Sequence, residues 1–294
     1  MNVFIVGASG LVGNNCLRHF VARGWNVKGS YFSFPQEGLV YFNTLEPGDP
    51  KNFDLVGWKP EVIVHCGALT HVDYCETNVE ESHTQTVVST RNLISIAKQC
   101  GARMVYLGTD YVFDGKDGPY AEDAAVHPLN IYGQHKLEAE QAVLSAVPNS
   151  LVLRVTNVYG DEARGKNFIA RIIQQCVDGK ELTLKLPYDQ FANPTNAADI
   201  AAGMFLLLRD GKSGIYNMGG TDYMNRVSLA LRVLKYFPEA TYKLEPIDTA
   251  SLKQPATRPL LGGFIMQKFC GEYPEYLFST VDDYLQIKSV APKP

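Results

Sequence analysis

Apolar and polar positions alternate in blocks along the first half of the chain, and each block has the period of a strand or a helix. Val3 to Val6 is a short apolar run, and an amphipathic stretch follows from Asn14 to Arg23. Trp25 to Tyr31 has a second strand pattern, Tyr41 to Thr44 a short third, and Glu61 to His65 one of buried type. Val87 to Cys100 carries apolar residues at helical spacing, and Met104 to Leu107 is the next strand. A long polar loop, Gly108 to Leu129, then leads into a helix around Tyr132 and a strand from Leu151 to Val155. Strands alternating with helices predict a parallel sheet covered on both faces. Right-handed crossovers make it α/β and doubly wound, of Rossmann type.

Beyond Gly160 the pattern changes. Helices are expected at Asn167 to Val177, at Thr195 to Leu208 with Asp199 in the first turn, and at Val227 to Phe237; strands are expected at Leu182 to Leu186 and Gly214 to Met218. The tail is richer in proline and aromatic residues and has no clear period; its Tyr and Phe side chains suit a core or an interface. The expected organisation is a cofactor-binding part, residues 1–160 and 194–220, interleaved with a smaller substrate-binding part, residues 161–193 and 221–294.

Between the first strand and the first helix lies Gly7-Ala8-Ser9-Gly10-Leu11-Val12-Gly13. Glycines at this spacing allow a tight turn and let backbone N–H groups approach a pyrophosphate at a helix N-terminus. A dinucleotide is therefore expected, with Gly7, Ser9, Gly10, Leu11, Val12 and Gly13 around its phosphates. An acid at the end of the second strand would hold the ribose 2′-hydroxyl of NAD. Here that position falls in Ser30-Tyr31-Phe32-Ser33, without an acid, and Lys28, Ser30 and Ser33 are the candidates for the adenosine end. NADPH or NADH both fit, and the missing acid tilts the choice toward NADPH.

Tyr132 and Lys136 stand four apart, on one face of the predicted helix. An ammonium beside a phenol favours the phenolate, so Lys136 is expected to lower the Tyr132 pKa. Thr109 ends a strand, where open α/β sheets bind ligands. In order along the chain, the set suggests carbonyl reduction. Tyr132 is the general acid, Lys136 tunes it and binds nicotinamide ribose, and Thr109 orients the carbonyl. Taken singly, each residue has a plainer reading: a threonine capping a loop, a Tyr-Lys pair by chance.

Composition narrows the class further. The net charge of -4 gives no sign of nucleic acid or an anionic membrane as partner, and no apolar run is long enough to span a bilayer. The strand pattern starts at Asn2, so no signal peptide is expected. Six scattered cysteines without a C-x-x-C pair suit reduced thiols in the cytoplasm and offer no metal site.

Several runs together resemble the extended short-chain dehydrogenases/reductases, and within them the dTDP-4-dehydrorhamnose reductase family. They are the glycine turn, Val72-Asp73-Tyr74-Cys75-Glu76, Thr109 to Gly115, Gly118 to Asp123 and Pro128 to Gly133. Leu153-Arg154-Val155, Val158-Tyr159-Gly160, Asp189-Gln190, Pro194-Thr195 and Arg258-Pro259 continue the likeness. The resemblance implies reduction of the 4-keto group of a nucleotide-linked deoxysugar, as in dTDP-rhamnose biosynthesis. It also implies homodimers in some members and Mg²⁺ at the interface of some, though this chain offers no ligand cluster and no metal is expected. Gly67 and Ala68 would join the cofactor site, and His71, Asp73, Asp110, Asn157, Gln190 and Arg258 are candidates for substrate contact. Arg258 is the candidate for a pyrophosphate; Glu122 is a candidate for a supporting role.

The chain departs from the family's pattern at several places. Asn157 stands where a tryptophan is frequent, His65-Cys66-Gly67-Ala68 where Asn-Ala-Ala is usual, and Thr86 where a helix asparagine is frequent. Leu260-Leu261-Gly262-Gly263-Phe264 replaces a polar segment. Two other readings stay open: an epimerase or dehydratase of nucleotide sugars, and a non-catalytic NADP-binding regulatory subunit. The β subunit of methionine adenosyltransferase resembles this same family.

Overall fold

Seven parallel strands form the spine of the protein, in a computed structural model that describes residues 1–290. They are β1 (Asn2–Val6), β2 (Asn26–Tyr31), β3 (Val40–Tyr41), β4 (Val62–His65), β5 (Arg103–Thr109), β6 (Leu151–Val155) and the strand Gly214–Met218. Across the sheet the order runs β3, β2, β1, β4, β5, β6 and Gly214–Met218. The chain builds outward from β1 to β3, returns beside β1 as β4, and builds outward again. A crevice therefore opens at the carboxyl ends of β1 and β4, where the direction reverses. This is the expected doubly wound α/β fold.

Alternation along β1 explains why the strand is apolar from Val3 to Val6. Val3 and Ile5 join one core with Val64, Val105 and Leu153, whereas Phe4 and Val6 join another with Ile63, Met104 and Val152. Successive side chains point to opposite faces, and both faces are covered. A third cluster lies in the second half. There the helices Phe168–Val177 and Arg226–Leu234 bring Ile169, Ile172, Leu229 and Val233 together with Leu182, Val281 and Leu285.

Three segments differ from expectation. The third strand is only two residues, Val40–Tyr41, instead of reaching Thr44. The helix expected from Val87 is preceded by the short helices Val72–Thr77 and Val79–His83 and a π-helical turn, Thr84–Val88, before the regular Ser89–Cys100. The tail folds into a strand, Tyr242–Ile247, and two helices, Gln267–Glu272 and Val281–Val290. Its aromatics are core: Phe269 and Phe278 are buried among Met204, Phe205 and Met218. Asp199 holds this tail, accepting from the Ser279 N–H at 2.8 Å and the Ser279 hydroxyl at 3.0 Å.

Candidate functional site

One cleft of about 760 Å³ runs along the carboxyl edge of the sheet. At one end β1 turns into the helix Leu11–Ala22, capped by Gly10 without a side-chain hydrogen bond and with no acid in its first turn. The first N–H groups and the positive end of the helix dipole are thus left for an anion. A Cβ on Gly13 would lie 2.4 Å from the Gly7 carbonyl oxygen, so only glycine lets helix and turn pack this closely. Gly7, Ser9, Gly10, Leu11, Val12 and Gly13 all line the cleft, as do Ser30, Gly67 and Ala68. The Ser30 hydroxyl is buried with no protein partner. These residues fit a dinucleotide: an open helix N-terminus for its pyrophosphate and an unsatisfied hydroxyl for its adenosine end.

Thr109, Tyr132 and Lys136 line the same cleft. Thr109 ends β5 and accepts the Tyr111 N–H at 3.2 Å. Asn130 caps the helix Ile131–Ala146 by accepting the Gly133 N–H at 2.9 Å, which fixes Tyr132 and Lys136 in its first two turns. The tyrosine ring is half-buried against Tyr111, edge to face at 5.5 Å. The electrostatics differ from the expected tuning. Burial pushes the Tyr132 phenol well above its ordinary value, and the Thr109 hydroxyl beside it only partly opposes this. Lys136 turns its ammonium elsewhere: Nζ donates to the Leu107 carbonyl and lies 4.2 Å from the centroid of the Tyr106 ring. Burial brings the lysine down to about 8, against a smaller upward pull from Glu140.

The residues assigned to substrate separate into two groups. Asp110 and Asn157 line the cleft and also a small side pocket, which Gln190 shares. The buried Asp110 carboxylate accepts the Thr156 hydroxyl at 2.6 Å and the Gly263 N–H at 3.2 Å. Gln190 donates to the Thr249 hydroxyl at 2.9 Å. His71, Asp73 and Arg258 lie off the cleft. His71 caps the helix Val72–Thr77 through Nδ1, which accepts the Tyr74 N–H at 3.1 Å. Arg258, the candidate for a pyrophosphate, is tied to Asp73 at 2.9 Å and to the Ala256 carbonyl at 3.1 Å. Each is the other's ion-pair partner in this structure. Arg226, which the motifs did not indicate, lines both the cleft and the side pocket. Among the described residues no group of three His, Cys, Asp or Glu side chains is placed to hold a metal, and no helix is long and apolar enough to cross a membrane.

The family model for the RmlD substrate binding domain matches residues 1–270. The chain belongs to this family. Among the relatives, two of those at 33% identity represent different activities. Methionine adenosyltransferase 2 subunit beta of Xenopus laevis aligns over 249 residues, 83% of this chain and 74% of that protein. A dTDP-4-dehydrorhamnose reductase of Sinorhizobium fredii aligns over 211 residues, 68% of this chain and 70% of that protein. The solved dTDP-4-dehydrorhamnose reductase of Bacillus anthracis, in complex with NADP, shares the fold with a TM-score of 0.81 at 22% identity, covering 97% of each chain.

Two departures from the RmlD pattern have visible physical consequences. His65 is buried, and its Nε2 meets the Thr90 hydroxyl at 3.1 Å. Because that hydroxyl donates to the Thr86 carbonyl at 2.6 Å, it must accept from Nε2. Nδ1 is left as a bare acceptor, buried and without a partner. Burial, and secondly the charge of Lys136, hold the imidazole down to about 3, so it is neutral. The second departure, Leu260 to Phe264, threads behind the end of β5: the Leu261 N–H donates to the Gly115 carbonyl at 2.8 Å and the Phe264 N–H to Asn193 Oδ1 at 2.7 Å. Gly263 sits at φ +85, and a Cβ there would lie 2.4 Å from Asn193 Oδ1. The double glycine is what this close passage requires.

Proposed function

We propose that this protein is an NAD(P)H-dependent reductase of the 4-keto group of a nucleotide-linked deoxysugar. The observation that carries the reading is that a single cleft gathers the open glycine turn together with Thr109, Tyr132 and Lys136. Similarity to the Sinorhizobium reductase supports the substrate class. Gly7 and Ser9 to Gly13 would hold the pyrophosphate of the cofactor, and Lys136 its nicotinamide ribose. A bound nicotinamide cofactor supplies the hydride. Thr109 orients the carbonyl by donating to its oxygen. Tyr132 gives that oxygen a proton; a phenol held above its ordinary pKa is fully protonated at neutral pH and available as the acid. NADPH is the preferred form in this reading, supported by the acid-free end of β2 and the orphaned Ser30 hydroxyl. The six free cysteines suit the cytoplasm, and the family resemblance supports a homodimer. We assign residues 1–160 and 194–220 to the cofactor, and 161–193 with 221–294 to the substrate.

A dehydratase would need further acid–base groups beside Thr109. The adjacent Asp110 is already engaged by Thr156 and Gly263, which favours the reductase. A second reading, a cofactor-binding subunit of another enzyme, draws on the methionine adenosyltransferase subunit relative. One comparison separates them. Oxidation of NADPH with dTDP-4-dehydro-L-rhamnose is expected to fall on the order of 10²–10⁴-fold in Tyr132→Phe, with cofactor affinity retained. Absence of turnover in the wild type, with Tyr132→Phe equal to it in stimulating a methionine adenosyltransferase, would transfer the case to the subunit.

A further inference from the structure

Two arginines within the family's motifs are neutralised by acids. Arg154 is paired with Glu140 at 2.6 Å and Arg258 with Asp73 at 2.9 Å. Arg226 is not. It opens the helix Arg226–Leu234 and reaches both the cleft and the side pocket beside Asp110, Tyr111 and Asn157. Its one hydrogen bond among the described residues goes from Nη2 to Asn157 Oδ1, and its guanidinium lies over the Phe168 ring at 5.1 Å. Asp110 makes no ion pair with it among the described residues: its Oδ2 accepts the Thr156 hydroxyl and the Gly263 N–H, and its Oδ1 accepts the Thr109 hydroxyl at 3.4 Å. A guanidinium has five N–H donors in a fixed fork. Most of this fork makes no hydrogen bond among the described residues, and the half-buried side chain stands in the cleft wall with donors to offer. Burial accordingly pulls its pKa below the ordinary arginine value. Asn157 holds its bond from a left-handed backbone, φ +41, an unusual conformation of the kind kept at ligand sites.

We propose that Arg226, set in place by Asn157, is the oxyanion-binding position of the substrate cleft. It receives an oxygen of the nucleotide diphosphate or of a carboxylate on the sugar. The inference rests on the nucleotide-sugar reading above, and it moves the anion contact from Arg258 to a residue outside the family's recognisable motifs. Asn157, where the family often has tryptophan, then serves to aim the guanidinium.

The test is calorimetric titration of NADP⁺-loaded wild type, Arg226→Gln, Arg226→Lys and Asn157→Ala with dTDP, dTDP-glucose and dTDP-glucuronic acid. A diphosphate contact predicts that Arg226→Gln weakens all three probes on the order of tenfold or more, with partial recovery in Arg226→Lys. A carboxylate contact predicts that only dTDP-glucuronic acid is weakened. Asn157→Ala, which leaves the charge in place, should show a smaller loss of the same kind, and covers the case in which Arg226→Gln does not fold. NADP⁺ affinity and melting temperature should stay at their wild-type values. Equal affinities in wild type and variants, or no binding of any probe, overturn the proposal. The Tyr132→Phe turnover assay judges the reductase reading separately, since it does not depend on Arg226.

Discussion

Lys136 keeps an ammonium in the protein interior with a backbone carbonyl and a tyrosine ring as its company. Its pKa falls from 10.5 to about 8. Below that value the folded and unfolded chains both hold the proton, and the folded state bears the whole cost of burying it. Between about 8 and 10.5 only the unfolded chain holds it, so stability rises with pH across that window. Lys136→Met is therefore expected to stabilise the free protein at pH 7, by up to about 3 kcal/mol, while abolishing turnover. Urea denaturation at pH 7 and again near pH 10 checks this: the advantage of the variant should shrink at the higher pH. A variant less stable than wild type at pH 7 would mean that the ammonium is a net structural asset. Tyr132 and Lys136 were legible in the sequence because their relation is local, one helical turn. Arg226 was not, because its meaning arises only where it meets Asn157, 69 residues away in the chain.

At the scale of elements, a buried ion pair locks the helix that carries Tyr132 and Lys136 to the sheet. Arg154 on β6 donates from Nη2 at 2.6 Å and from Nε at 3.1 Å to the two carboxylate oxygens of Glu140 on the helix Ile131–Ala146. The guanidinium also donates to the Glu122 carbonyl at 3.2 Å and lies over Phe113. Glu122 in turn takes the Asn217 N–H at 3.1 Å, so its supporting role is structural. Removing one partner strands a charge, and Glu140→Ala should cost about 3–5 kcal/mol. Replacing both, as Arg154→Met with Glu140→Leu, should return most of that stability, to be read from the denaturation midpoints of the single and double variants. A double variant no better than Glu140→Ala would show that the apolar pair cannot fill the site. The strands and helices of the sheet were readable because each repeats its period across several residues buried on a fixed face. The tail gave no such signal. Its strand Tyr242–Ile247 is largely exposed, and Gln267–Glu272 buries the single residue Phe269, in the same core as Met204 and Met218, which no local period records.

Across the whole molecule, the C-terminal helix and the lip of the cofactor end are joined through one residue, Asp161. Asp161 accepts the Tyr284 hydroxyl at 2.9 Å and pairs with Lys288 at 2.6 Å, while its carbonyl accepts from Asn15, on the glycine-turn helix, at 3.1 Å. The segment that follows carries Arg164 and Lys166 to the cleft. Arg164 lies 5.3 Å from the Phe34 ring, just past the end of β2, so a residue from the second half of the chain stands by the adenosine end of the site. No arginine after β2 could supply that charge locally, and its arrival from more than a hundred residues downstream explains why the sequence left cofactor preference open. A 2′-phosphate carries the charge that Arg164 can meet and a free 2′-hydroxyl does not. Arg164→Ala is expected to lower kcat/KM for NADPH on the order of tenfold and to leave NADH nearly unchanged. Arg164→Lys should keep part of the preference, because the charge survives without the fork. If both cofactors weaken equally, Arg164 supports the lip as a whole, and the discrimination must come from Ser30 and its neighbours on β2.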